Sequence, residues 1–393
     1  MDRPTAEALL VIAAIAVLAP LVSAVSGGRI PGVVIEIACG IAIGPQVLRL
    51  ATATPTVSAI SDLGLAFLFF SAGYEMDLDR VRGRPLRLAA LGWVASLSLG
   101  LAVAAVAVAE GFAISVVLIG LALTTTAIGT LVPMLADADE LPTPFGAHIL
   151  AIGAAGEFLP IVAVTLLASE RGTLADAAVL VGFALLAVAA AGIALRPRPP
   201  RLGRLLGATL HKSSQLPVRI AVLVVIALAF VASRLGLDAL LGAFAAGLVI
   251  RLANRGSESE VVASKLDAIS GGVFIPVFFV VTGMRFDLDA LTSDPAAALR
   301  IPVFLAAFLV VRGLPILGFL RRDLGPTDRR AAALLGSTAL PLVVAITTLG
   351  LGTGRMLPEN AAALVAAGML SVLCFPAIGL TLRRHSRQPT APV

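Results

Sequence analysis

Charge is scarce in this chain. Asp, Glu, Lys and Arg make up only 13% of its 393 residues, against 59% hydrophobic residues. A soluble domain cannot hide that much apolar surface. Cysteine is nearly absent as well: Cys39 and Cys374 both fall inside apolar runs. They say nothing of a disulfide framework and read as small buried apolar residues. Paired catalytic carboxylates, His/Cys metal spacings and a nucleophile elbow are missing, so the chain does not read as an enzyme and implies no cofactor. Alternating ten-residue strands are missing too, which argues against a transmembrane β-barrel. A net charge of +5 and a pI near 10.2 would suit a nucleic-acid partner. The basic residues gather between apolar runs, as topology signals do, and no nucleic-acid partner is expected.

What is present is a succession of apolar runs of about 20 residues, the pattern of an all-α polytopic protein embedded in a lipid bilayer. The runs predict thirteen transmembrane spans: 6–26, 30–48, 57–74, 86–109, 113–134, 145–168, 174–195, 216–234, 237–252, 264–284, 298–320, 330–352 and 361–382. The first run carries Arg3 offset by Asp2 and Glu7 and is long, so it reads as a retained span rather than a signal peptide. The loops "DLDRVRGRPLR", "RPRPPRLGRLLGATLHKSSQ" and "RRDLGPTDRR" and the terminal "RRHSRQ" are basic and share one side. The positive-inside rule makes that side cytoplasmic, with the N-terminus outside and the C-terminus inside a cell (inner) membrane. The acidic loop "ADADELPTP" falls on the same side and runs against the trend.

The chain repeats itself. "FLFFSAGYEMDLD" (67–79) ends span three and "PVFFVVTGMRFDLD" (276–289) ends span ten. "EIACGIAIG" in span two similarly faces "AFAAGLVIR" in span nine. Each pair lies seven spans apart. Seven is odd, so the copies enter the membrane in opposite directions, as in many secondary transporters. The reading is a single membrane domain over 1–393, with inverted repeats of about 6–168 and 216–382, a linking helix at 174–195 and no soluble regulatory domain.

Spans five and twelve are corresponding spans of the two halves, and both contain helix breakers. Span five has Thr124, Thr125, Thr126, Gly129 and Pro133; span twelve has Gly336, Ser337, Thr338 and Pro341. Such residues predict two discontinuous helices that cross near the midplane and offer carbonyl oxygens and half-helix ends to an ion.

Three charges lie inside spans. Glu157 is twelve residues into span six. That places it ~18 Å deep, where a charge costs roughly 2.5–3.5 kcal/mol. A cost of that size marks function. Protonated, a carboxyl group is neutral; ionised, it offers hard oxygens to a small cation, so proton and cation compete for it. Arg312 in span eleven stays charged and needs a partner. Glu157 in the empty site and the C-terminal carbonyls of a half-helix are the two candidates. Glu36 in span two lies shallower and suits a structural or gating role. His148, Asp137, Asp139 and Glu140 sit by the mouth of spans five and six, where they form either an acidic funnel or a solvated loop.

Several motifs in order then resemble a known family. "RIPGVVIEIACGIAIGPQVL", "ISDLGLAFLFFSAGYEMDL", "LTTTAIGTLVPML", "LGLDALLGAFAAGLVI" and "GGVFIPVFFVVTGMRFDL" are similar to the successive motifs of the monovalent cation:proton antiporter-2 family, within the sodium/hydrogen exchanger superfamily. The resemblance implies a homodimer with a mobile core moving like an elevator, and exchange of Na⁺ or K⁺ for H⁺ where the broken helices cross. Two departures stand out. The family's Gln-Asp or Asn-Asp pair is Gly156-Glu157 here, and the glycine leaves room for the longer acid or a water. Arg312 stands where many relatives carry lysine.

The expected function is antiport of a monovalent cation against H⁺, electroneutral and one for one. Glu157 would bind the cation and the proton alternately, Thr125 and Thr126 would complete the shell, and Arg312 would stabilise the empty site. Two alternatives remain: a proton-coupled exporter of an organic cation or other small molecule on the same fold, and a non-transporting membrane sensor or ion channel.

Overall fold

A computed structural model describes residues 3–26, 30–75, 83–167, 173–195, 208–209, 214–237, 239–254, 259–292 and 295–387. Every regular element among these residues is helical. The chain runs through α1 (Arg3–Val25), α2 (Gly32–Ile43), α3 (Pro55–Glu75), α4 (Arg84–Ala109), α5 (Val116–Ala122), α6 (Ile128–Asp137), α7 (Pro144–Leu167) and α8 (Thr173–Leu195). It continues through α9 (Leu216–Arg234), α10 (Ala239–Ala253), α11 (Ser259–Ile269), α12 (Ile275–Met284), α13 (Leu288–Thr292), α14 (Pro295–Phe308), α15 (Leu314–Phe319), α16 (Pro326–Gly336), α17 (Pro341–Gly352) and α18 (Pro358–Arg387). Among the described residues nine helices, counting joined pieces as one, are long and apolar enough to cross a bilayer.

Burial sorts these helices. In α7 the whole middle, from Ala151 to Glu157, is buried. Apolar side chains on α1, α4 and α9, among them Leu10, Val94 and Leu223, are exposed instead. In water that pattern would be costly; facing lipid tails it is neutral. The bundle therefore has α7 near its centre and α1, α4 and α9 toward its lipid-facing rim.

Small residues bring the other helices together. A Cβ on Gly73 of α3 would strike the carbonyl oxygen of Phe244 in α10, and one on Gly247 of α10 would strike that of Phe70 in α3. Gly40 of α2 and Gly283 of α12 meet in the same way, against the carbonyls of Val280 and Ile37. Packing backbone on backbone gains dispersion contacts where no hydrophobic drive exists between helices.

Two segments depart from the expected continuous spans. Ser270–Phe274 joins α11 to α12 as a π-helical turn, and Leu309–Gly313 joins α14 to α15 in the same form. The second holds Arg312. Such single widened turns shift the register of the residues that follow and often lie at functional sites.

Candidate functional site

The site is built where two helices stop. α5 ends at Ala122 and α6 starts at Ile128; α16 ends at Gly336 and α17 starts at Pro341. The intervening backbones cross. The Ala127 N–H donates to the carbonyl of Thr338 at 2.8 Å, and Thr126 Oγ1 donates to the carbonyl of Gly336 at 2.6 Å. The Thr126 N–H donates to Gly156 in α7 at 3.0 Å, which pins the crossing to the central helix. Outside a helix these backbones keep carbonyls with no intrahelical partner, buried in protein rather than lipid.

Sequence and structure differ on where the chain breaks. Gly129 and Pro133 lie inside α6, and the interruption falls one step earlier, at the threonines. Ser337 and Thr338 lie in the second interruption, and Pro341 opens α17. A threonine hydroxyl bonds its own preceding turn and so competes with continuation of the helix. Thr124 and Thr125 both do this, donating to Leu121 and Ala122. Pro341 at a first helical turn wastes no donor.

Arg312 is 2% exposed. Its Nη2 donates to Thr126 Oγ1 at 2.8 Å and to the Ile152 carbonyl at 3.2 Å; its Nε donates to Thr126 Oγ1 at 3.1 Å and to the Gly336 carbonyl at 3.3 Å. Of its two candidate partners the structure shows the half-helix carbonyl: Gly336 ends α16, where the helix dipole is negative. Glu157 makes no ion pair with it. The helix explains why. Residues 152 and 156 share one face of α7, and 153 and 157 share the next, about 100° away. The first face meets Thr126 and Arg312. The second meets Ile128, whose side chain would clash with a Cβ on Gly153.

The room beside Glu157 is not free for a water or a longer side chain. A Cβ on Gly156 would lie 2.5 Å from Thr126 Oγ1 and 2.7 Å from Arg312 Nη2. The space that an amide side chain would take is held by the hydroxyl and the guanidinium.

Glu157 is itself 8% exposed, and its Oε2 has no hydrogen-bond partner. The Ile128 N–H faces its carboxylate, so the positive end of α6 points at the acid. The charged side chain that acts on it is Glu75, at the end of α3. Sequence reasoning assigned Glu75 no role, because it closes an apolar run just before a charged loop and reads as a span end. Its Oε2 comes within 3.9 Å of the place a Cβ on Gly129 would occupy, beside Ile128. Glu75 is exposed, in a cavity of about 260 Å³ lined also by Phe70, Tyr74, Ser264, Asp267 and Ser270.

The remaining acids lie apart from the crossing. Glu36 is buried in α2. Asp139 is exposed in a left-handed turn (φ 53°), and Asp137 is the last residue of α6. Glu140 is neither solvated nor part of a funnel: it is buried and pairs with Arg383 of α18 at 3.1 Å. His148 is buried, with Nδ1 2.7 Å from the Pro144 carbonyl.

Comparison with known proteins agrees with this geometry. The family described as "Sodium/hydrogen exchanger, transmembrane" matches residues 12–383. The putative Na⁺/H⁺ antiporter YjbQ of Bacillus subtilis (strain 168) is 26% identical over 99% of this chain, which spans 65% of that protein's length. The Na⁺/H⁺-K⁺ antiporter GerN of Bacillus cereus is 27% identical over 88% of both chains. In fold, the sodium proton antiporter MjNhaP1 from Methanocaldococcus jannaschii matches with a TM-score of 0.64, at 18% identity and over 96% of each chain. With the family model matching residues 12–383, nearly its whole length, the chain belongs to the sodium/hydrogen exchanger family.

Proposed function

We propose that this protein exchanges a monovalent cation, Na⁺ or K⁺, for H⁺ across a membrane, with Glu157 as the group both ions use. The observation that carries the reading is a buried, unpaired carboxylate beside two crossed helix interruptions. A carboxylate without a cationic partner is costly in this environment unless a proton or a metal ion neutralises it. Either ion meets that need, and their mutual exclusion couples the two fluxes.

Arg312 keeps the crossing rigid by bonding α16, α7 and Thr126 together. Thr125 and the carbonyls of the first interruption supply oxygens to the cation beside Glu157. Because Arg312 stays bound to neutral oxygens, the titrating charge in each cycle is the carboxylate alone, which supports one-for-one electroneutral exchange. The cavity at Glu75 gives access from one side.

Thirteen spans in two inverted repeats, 6–168 and 216–382, supply the second access state by alternating access. The packing of α3 (span three) on α10 (span nine) and of α2 (span two) on α12 (span ten) supports this: each span packs against the counterpart of its neighbour, as a two-fold relation between the halves would require. The basic loops support a cytoplasmic C-terminus and an outside N-terminus in the inner membrane, and the resemblance to the monovalent cation:proton antiporter-2 family implies a homodimer. The test is proton flux in proteoliposomes carrying a pH-sensitive dye, driven by Na⁺, K⁺, Li⁺ or Rb⁺. Cation-driven flux that Glu157→Gln abolishes is expected; flux that survives this substitution refutes the assignment.

A further inference from the structure

A second concavity lies away from the ion site, between the start of α4 and the end of α15. Its volume is about 1,110 Å³, and Arg84, Arg87, Leu91, Phe319, Arg321 and Arg322 line it. Arg84 is committed: Nε and Nη2 donate to Asp323 at 2.6 and 3.2 Å, tying the two elements together. That hydrogen bond holds the Asp323 carboxyl below its ordinary range. Arg87, Arg321 and Arg322 are exposed and form no salt bridge among the described residues, although Arg322 lies near enough to act on Asp323, which Arg84 already holds. The concavity thus carries three positive charges that its own acid does not neutralise.

Its position adds a second constraint. Arg84, Arg87, Leu88 and Leu91 are spaced i, i+3, i+4, i+7 and share one face of α4. Along about 10 Å of that face the character changes from charged to apolar. Leu91 is 45% and Phe319 39% exposed, so the apolar end is also open. Cationic at the helix end and apolar one or two turns deeper is the profile of a phospholipid, phosphate outermost and acyl chain below. Arginine suits the phosphate because its planar fork donates two parallel hydrogen bonds.

We propose that this concavity binds the headgroup of an anionic phospholipid from the leaflet on the side of the basic loops, with an acyl chain lying on Leu91 and Phe319. Because α4 and α15 both pack near Arg312, a lipid here would bridge elements that hold the ion site, but the binding itself does not depend on the transport reading.

The experiment uses the full chain in neutral detergent. Lipid binding is followed by native mass spectrometry and by thermal unfolding, with phosphatidylglycerol, phosphatidylcholine and inorganic phosphate as separate additions. Phosphatidylglycerol is expected to bind and to raise the unfolding temperature; the other two are not. The triple variant R87Q/R321Q/R322Q should bind it about a hundredfold more weakly, from the loss of three arginine–phosphate attractions. R87K/R321K/R322K, which keeps the charge, should recover most of the binding and controls for folding. Leu91→Ser with Phe319→Ser should weaken phosphatidylglycerol while leaving its salt dependence intact. Equal binding of phosphatidylcholine, an unchanged triple variant, or full competition by inorganic phosphate would each overturn the proposal, the last by making it a free-anion site.

Discussion

Gly156 and Arg312 are fitted to one another: the missing side chain of the first is the space in which the second places its guanidinium, 2.7 Å from where a Cβ would stand. The fit makes a prediction about pairs of substitutions. Gly156→Ala should cost about 1–3 kcal/mol of stability through overpacking against Arg312 and Thr126, and Gly156→Asn more. In an Arg312→Ala background, part of the Gly156→Ala penalty should disappear, because one of the two obstructing groups is gone. A thermal-unfolding double-mutant cycle measures the coupling. Additive effects would mean that the two residues do not share this space.

If one carboxylate serves both ions, acid must act as a competitive inhibitor of the cation. Below the pH at which Glu157 is half protonated, the cation concentration giving half-maximal exchange should rise about tenfold per pH unit, with little change in the maximal rate. Above it, the half-saturating concentration should level off. Glu157→Asp, which keeps the charge but withdraws it by one methylene, should retain exchange at weaker cation affinity. Flux against cation concentration at several pH values decides this. A pH effect on the maximal rate alone would argue against a shared site.

The main features of the site could be read from the sequence where they carried a local cost. A glutamate in the run "AIGAAGEFLPIVAVTLL" and an arginine in "FLVVRGLPIL" are expensive in lipid, and their depth follows from counting. The interruptions were legible as clusters of threonine, serine, glycine and proline, although composition blurred which residue makes the break: the helix resumes before Gly129 and carries Pro133. What stayed hidden depends on long-range geometry. Arg312 meets Thr126 across 186 residues, and Arg383 meets Glu140 across 243. No local pattern encodes such pairs. Glu75 was hidden differently, because a charged residue at a span end has an ordinary explanation that needs no function. The π-helical turns at 270–274 and 309–313 leave no mark in hydrophobic periodicity.

Arg383 holds three elements at the end of the bundle. It pairs with Glu140 at 3.1 Å and with Asp328 at 2.6 Å, and its guanidinium lies over the Phe145 ring, 4.7 Å from the centroid. The Glu140 side chain is only 4% exposed. Arg383→Ala would leave that carboxylate buried without this cation, a loss of about 3–5 kcal/mol. Removing both charges, as Arg383→Met with Glu140→Gln, should cost markedly less. Thermal unfolding in detergent separates the two outcomes. A mild effect of Arg383→Ala would show that water or a neighbouring group replaces the pair.

Glu75 and Glu157 bear like charge when ionised, but Glu75 is exposed and lines a cavity whereas Glu157 is buried. That asymmetry separates their roles. Glu75, with Asp267 in the same wall, should then make the local potential negative and concentrate cations where they approach Glu157. Glu75→Gln should therefore leave exchange running but raise the half-saturating cation concentration about fivefold, the equivalent of about 1 kcal/mol of lost attraction. The shift should appear when cations enter from the side of this cavity and shrink as ionic strength rises, since salt screens a charge facing water. Glu75→Asp, which keeps the charge, should behave nearly as the unsubstituted protein. The measurement is flux in vesicles of both orientations at low and high salt. An effect that is equal from both sides and indifferent to salt would assign Glu75 to the packing of α3, not to the approach of the ion.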